Sequence, residues 1–240
     1  MHKPFDVECC LVYALETSGD TGSVAVLRGE QVLGERFFRK GLRHGTDLIP
    51  SLDALVRELG LSRRDAGLVV VGTGPGSYTG CRVGVASAKA LAFGLGAPLV
   101  GVPSTDAAVY NIQVTSGAQV AVVVDAKRQM VYLARYQAQE DEWRLHDRHR
   151  LYLPEDAAAR LGPDMRLIGD GAHRYREVFA ARGLTILEER LSTASAGWVG
   201  RLGLRKFACT PQDELLTVEP LYLRLSEAEE KRSSQSGVRK

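Results

Sequence analysis

Apolar residues gather into short runs separated by glycine, proline and charged residues, and the spacing within the runs changes in a repeating order. Residues 10–15, 22–28 and 32–39 read as three strands, the last two joined by a turn at Arg28, Gly29 and Glu30. Leu48, Ile49, Leu52, Leu55, Val56 and Leu59 then follow helical spacing, with Thr46 as the expected N-cap, Pro50 in the first turn and Gly60 as the stop. Residues 67–71 form an unbroken apolar strand, the kind covered on both faces. A glycine-rich turn follows, then a helix with only Ser87 and Lys89 polar between Val83 and Leu95, and a short strand at 98–102.

The same order returns downstream. Strands are expected at 119–124, 130–137 and 143–151, a short helix at 154–161, a strand at 166–168, a glycine turn at 169–171, a helix at 174–182, a strand at 184–187 and a helix at 196–207. Two βββαβα-like halves imply a topological duplication, carried by pattern because residue-level similarity between the halves is weak. Residues 226–240 are polar almost throughout and read as a solvated tail.

The glycine turn and its helix are the candidate functional region. Gly72, Gly74, Gly76 and Gly80 precede or open a helix, where free N–H groups and the macrodipole suit an anion. The spacing matches neither a Walker A loop nor G-x-G-x-x-G. The alternative is a tight strand-to-helix turn fixed by Pro75 and capped by Ser77 or Thr79. The helix alternates Gly84, Ala86, Ala88, Ala90 and Ala92 with large apolar residues, so it is expected to be covered on all sides, by its own chain or by a second macromolecule. Arg82 opposes the dipole in the first turn, losing roughly 0.3–1 kcal/mol, and calls for an anion: Glu16, a partner carboxylate or a phosphate.

Bulk properties narrow the picture a little. With 240 residues and 45% hydrophobic content the chain can bury a full core, and a net charge of +2 does not commit it to nucleic acid. Lys127-Arg128 and residues 148–150 make only short basic clusters. Cys9, Cys10, Cys81 and Cys209 lack C-x-x-C spacing and read as reduced thiols. No run reaches ~18 apolar residues, so a cytoplasmic protein is expected.

Several ordered landmarks resemble the TsaB family, also called YeaZ-like. They are residues 74–84 (GPGSYTGCRVG), 88–92 (AKALA) and 98–102 (PLVGV), with 14–18 (ALETS), 23–26 (SVAV), His44, 124–128 (VDAKR), 131–132 (VY), 169–172 (GDGA) and 220–224 (PLYLR). The resemblance spans about residues 11–225. It implies an α/β, two-lobed actin-like, sugar-kinase and Hsp70-like ATPase fold with RNase H-like duplicated lobes, at residues 9–106 and 107–219, followed by a terminal segment at 220–240. It further implies a non-catalytic subunit that binds TsaD, the transferase placing threonylcarbamoyl on adenosine N6 of transfer RNA, with the ATPase TsaE joining and tRNA met only through the complex. A homodimer is expected when TsaD is absent. The family's contact helix corresponds here to Arg82, Val85, Ala86, Lys89, Ala90 and Phe93, with His44 and Leu48 on the preceding helix. Glu16 stands where Asp is common, Cys81 where an aliphatic residue is common, and residues 1–8 look like an added leader.

Chemistry expected of a transferase is missing from the sequence. TsaD-like chains carry H-x-x-x-H on a helix, whose two imidazoles share one face, whereas residues 103–114 contain no His. His146 and His149 lie three apart on an expected strand, which points them to opposite faces. Residues 16–22 (ETSGDTG) keep one glycine hairpin, but 125–129 (DAKRQ) has no glycine to admit a phosphate, and Glu16 and Asp125 are expected to cap hairpins or pair with a nearby Arg. Ser77 has no sequence-implied base beside it. The expectation is therefore no catalytic, cofactor or metal site of its own, against the alternative of an autonomous actin-like ATPase, kinase or peptidase-like enzyme.

Overall fold

The computed structural model describes residues 6–39 and 44–222. Most of the expected leader, the polar tail and the last landmark at 223–224 lie outside them.

The first lobe is one sheet of β1 (Leu11–Glu16), β2 (Thr21–Arg28), β3 (Gln31–Arg39), β4 (Leu68–Gly72) and β5 (Leu99–Val102), in the order β3-β2-β1-β4-β5. The three opening strands form an antiparallel meander, while β4 and β5 run parallel to β1. Alternation sends Leu11, Tyr13, Leu15, Val69 and Val71 to one face, where α1 (His44–Glu58) and α2 (Tyr78–Leu95) pack. Leu48, Leu52, Leu55 and Val56 fill that layer from α1, each contributing about 1.5–3 kcal/mol of burial. Val12, Ala14, Leu68 and Val70 point to the other face. Covering on both sides is why β4 reads as continuous apolar sequence.

A short helix, α3 (Ser104–Val109), follows β5 and leads to the second sheet. That sheet holds β6 (Gln119–Asp125), β7 (Val131–Gln139), β8 (Glu142–Tyr152), β9 (Arg166–Ile168) and β10 (Thr185–Ile186) in the order β10-β9-β6-β7-β8. Each strand occupies the same relative place as its counterpart, so the expected duplication is present as two α/β lobes. Around it lie α4 (Pro154–Ala159), α5 (Asp170–Arg174), α6 (Arg176–Ala180) and α7 (Ala196–Cys209).

Two local expectations are corrected. Thr46 does not cap α1, which begins at His44, so Pro50 falls in the second turn. The helix expected at 174–182 is two short helices broken at Tyr175, and the first begins at Asp170. The expected helix at 196–207 is present as α7, which follows the second lobe in sequence and returns to cover the free face of the first sheet through Ala196, Val199, Leu204 and Phe207. Its start is pinned there: Ser195 Oγ donates to Glu35 Oε1 at 2.8 Å, and the amides of Ala196 and Gly197 donate to Ser23 Oγ and Glu35 Oε1 at 2.8 and 3.0 Å. Among the described residues, no helix is long and apolar enough to cross a membrane.

Candidate docking surface and interlobe cleft

The turn from β4 into α2 is a capped, closely packed corner. Gly74 has φ +90, a left-handed value that favours glycine, and precedes a cis peptide to Pro75. Ser77 is the N-cap; its Oγ accepts from the Gly80 amide at 3.3 Å and its own amide donates to the Ser18 carbonyl at 2.7 Å. Thr17 Oγ1 donates to the Gly80 carbonyl at 2.8 Å. A side chain on Gly76 would sit 2.3 Å from the Ser18 carbonyl oxygen, and one on Gly80 2.2 Å from that of Thr17. The glycines therefore admit residues 17–18 of the chain itself, and two carbonyls occupy the approach that a phosphate cradle needs.

This anchoring fixes which way α2 faces. Gly84, Val85, Ala88 and Ala92 are buried against the sheet and α1. Tyr78, Arg82, Ala86, Ala90 and Phe93 are exposed and Lys89 half-exposed, with Phe93 at 80%. Spacings of three and four put them on one stripe. Of the two expected ways to cover the helix, its own chain supplies only one side: the outer face is open. Leu48 and Val85, expected at a partner contact, are 0% and 4% exposed and serve the core. His44 opens α1, and its side chain lies outside the described residues.

Within the chain, Arg82 rests on Tyr78 and not on Glu16. Its Nη1 donates to Tyr78 Oη at 2.8 Å, and its guanidinium carbon lies 5.2 Å from the Tyr78 ring centroid, while Tyr78 leans on Tyr222 at 5.3 Å. Glu16 is too deeply buried to serve it. Beside the stripe, α1 and α2 enclose an apolar groove of about 390 Å³ lined by Tyr13, Ile49, Pro50, Leu52, Leu91 and Leu95 among others. Sequence reasoning missed Tyr78, Ile49 and the groove; a helical projection of α2 continues the stripe to Tyr78, but the groove needs both helices placed.

The interlobe cleft is small, about 150 Å³, between the β1–β2 turn, α3 and the Gly169-Asp170 turn. Glu16 does not line it but is fully buried behind two residues that do, with Oε1 accepting from the Ser18 amide at 2.6 Å and Oε2 from Ser104 Oγ at 2.7 Å, and burial pushes its pKa up. It caps the first hairpin. In the second hairpin Asp125 accepts from the Lys127 amide at 2.9 Å and Lys127 Nζ at 2.7 Å, with Arg174 Nε 3.5 Å away. Both acids thus have the capping and pairing roles expected as the alternative to catalysis.

His149 and His146 do lie on opposite faces. His149 Nε2 is 2.5 Å from Thr105 Oγ1, and Tyr136 Oη lies 2.9 Å from Thr105 Oγ1 and 2.6 Å from Asp106 Oδ1. One hydroxyl proton per group gives one consistent direction: His149 donates to Thr105, Thr105 to Tyr136, and Tyr136 to Asp106. Burial lowers the His149 pKa to about 4, below its ordinary 6.5. A base whose folded pKa is depressed binds fewer protons in the folded state, so stability is full above about 6.5 and falls as pH drops toward 4. Allowing for partial exposure, about 1–2 kcal/mol is expected to disappear between pH 7 and 5. Burial raises the Asp106 pKa, which acts in the opposite sense. Urea unfolding of the protein and of His149→Gln at both pH values isolates the His149 contribution; equal slopes would refute it.

Comparison with known proteins follows the same lines. The family model described as TsaD, tRNA N6-adenosine threonylcarbamoyltransferase, matches residues 41–174. An uncharacterized protein of Mycobacterium tuberculosis is 33% identical over 225 residues, spanning 92% of this chain and 95% of that one. The Escherichia coli tRNA threonylcarbamoyladenosine biosynthesis protein TsaB is 25% identical over 218 residues, spanning 89% and 94%. The solved structure of YeaZ from Pseudomonas aeruginosa matches with a TM-score of 0.76 and 26% identity, over 89% of this chain and 100% of that one.

Proposed function

The chain belongs to the TsaB (YeaZ) family, within the wider family that the TsaD model describes, and we propose that it works as a docking subunit in threonylcarbamoyladenosine synthesis on tRNA. A role in this pathway is the part its relatives support directly. The finer reading is that the chain binds a TsaD-like catalytic subunit and carries out no group transfer itself, with a TsaE-like ATPase joining and tRNA reached through the assembly. It works in the cytoplasm, and without its partner two copies pair through an overlapping surface.

One observation carries this reading: the outer stripe of α2, with Ala86 and Ala90 exposed between Arg82 and Phe93. Small side chains let a second backbone approach closely, and an apolar residue left 80% exposed gains from being covered. The groove beside it extends the apolar area onto α1. Arg82, held over Tyr78, offers an aromatic-backed cation to a partner acid.

Reconstitution of the complete system, with purified TsaD-like and TsaE-like subunits, threonylcarbamoyl adenylate as donor and tRNA as acceptor, tests the role. Modification is expected to require this chain, and Arg82→Ala is expected to weaken the complex about tenfold, near 1.4 kcal/mol, with Tm unchanged. Equal modification in its absence, or nucleotide turnover by the chain alone that Glu16→Ala or Asp125→Ala abolishes, would replace this reading with that of an autonomous enzyme.

A further inference from the structure

The basic residues that are scattered in sequence converge at one place on the second lobe, far along the chain from the docking stripe. Arg135 on β7, Arg150 on β8 and Arg160 at the end of α4 line a pocket of about 540 Å³ together with His146, Asp147 and Tyr152. β8 meets β7 with two register shifts, between Leu133 and Arg135 and between Arg135 and Tyr136. Such bulges re-aim side chains, and here they bring His146, Asp147 and Arg150 to the pocket while His149 faces the lobe interface.

The pocket is built. Arg135 Nε donates to Asp147 Oδ2 at 2.7 Å and its Nη1 to the Arg160 carbonyl at 3.1 Å, which fixes its guanidinium. The Arg160 guanidinium carbon lies 4.7 Å from the Tyr152 ring centroid, over the aromatic face. Three guanidiniums thus share one pocket with a single carboxylate, in a chain whose net charge is only +2. Asp147 is paired with Arg135, which leaves the charges of Arg150 and Arg160 in the same lining to be met by an anion. The forked, planar donors of Arg match the tetrahedral oxygens of a phosphoryl group, and the imidazole of His146 adds a further donor at the edge.

We propose that this pocket binds a phosphoryl group, supplied either by an RNA backbone or by a free phosphorylated small molecule. The inference does not rest on the docking reading, whose surface is on the other lobe.

The test uses the full chain, an Arg150→Gln/Arg160→Gln double variant and an Arg182→Gln control, leaving the Arg135–Asp147 pair intact. Two probes are titrated: a fluorescent transfer-RNA transcript at about 50 and 200 mM salt, followed by anisotropy, and inorganic pyrophosphate, followed by calorimetry. For an RNA source, the double variant is expected to bind the transcript about tenfold or more weakly, with the salt slope reduced by about one to two, while the control is unchanged. For a free ligand, pyrophosphate binding is lost in the double variant and RNA binding is unaltered. Binding that is indifferent to Arg150 and Arg160 for every probe the full chain binds, or a full chain that binds neither probe, overturns the proposal. If the double variant unfolds below the wild-type Tm, Arg150→Gln alone is read by the same criteria.

Discussion

Ala90→Arg is expected to abolish assembly with a TsaD-like partner, lowering affinity by at least about 100-fold, and to leave the isolated chain folded. Ala90 and Ala86 are exposed on the middle of the α2 stripe, so a longer side chain meets only solvent in the free protein. Arg is also nearly as good a helix former as Ala, so Tm is expected to move by about 1 °C or less. In a complex the same side chain would fill the space a partner backbone uses and bury a cation without a partner, a penalty of about 3–5 kcal/mol. Ala86→Arg, one turn earlier, is expected to do the same. Size-exclusion runs with and without the partner read both hetero-assembly and self-pairing. Two variants that assemble fully would remove α2 from the interface, whatever the chain does in the pathway.

Gly80→Ala is expected to give a large loss of stability, about 3 kcal/mol, and to lower Tm by about 6–12 °C. The added carbon would lie 2.2 Å from the Thr17 carbonyl oxygen, a backbone atom that no rotamer change can move aside. That oxygen belongs to the β1–β2 turn, which also receives the Ser77 amide, so relief requires lifting the start of α2 from the sheet. Alanine's better helix propensity, worth about 1 kcal/mol over glycine, runs the other way and is outweighed. Gly94→Ala on the same helix is the contrasting case. A side chain there meets nothing within 4 Å, so a gain of about 0.5–1 kcal/mol is expected. Thermal unfolding of the two variants under identical conditions checks the opposite signs; equal shifts would show that the corner is not packed as described.

Much of the fold was legible because local pattern and tertiary burial agree. The buried strand at 68–72 has covered faces on both sides and hence no polar alternation, and the strands at 11–16 and 119–125 repeat the pattern. Elements made mostly by tertiary context were harder to read. The six-residue α3 has too few turns to show a period, and the break between α5 and α6 has no proline to announce it. At the candidate surface, small residues marked the helix, yet composition could not tell its inner from its outer side. Val85 and Ala86 are neighbours in sequence and differ in burial by a third of a turn.

The sequence by itself determined the duplicated order of elements and the glycine corner, because both are encoded in spacings of a few residues where sterics and period leave little choice, and its ordered landmarks carried the resemblance to the family. Only the tertiary structure decided that α7 crosses back to the first sheet, that α2 keeps one stripe open, and that three arginines from separate elements share a pocket. Those outcomes depend on contacts between residues tens of positions apart, and a surface is defined by what fails to cover it, which no local window of sequence contains.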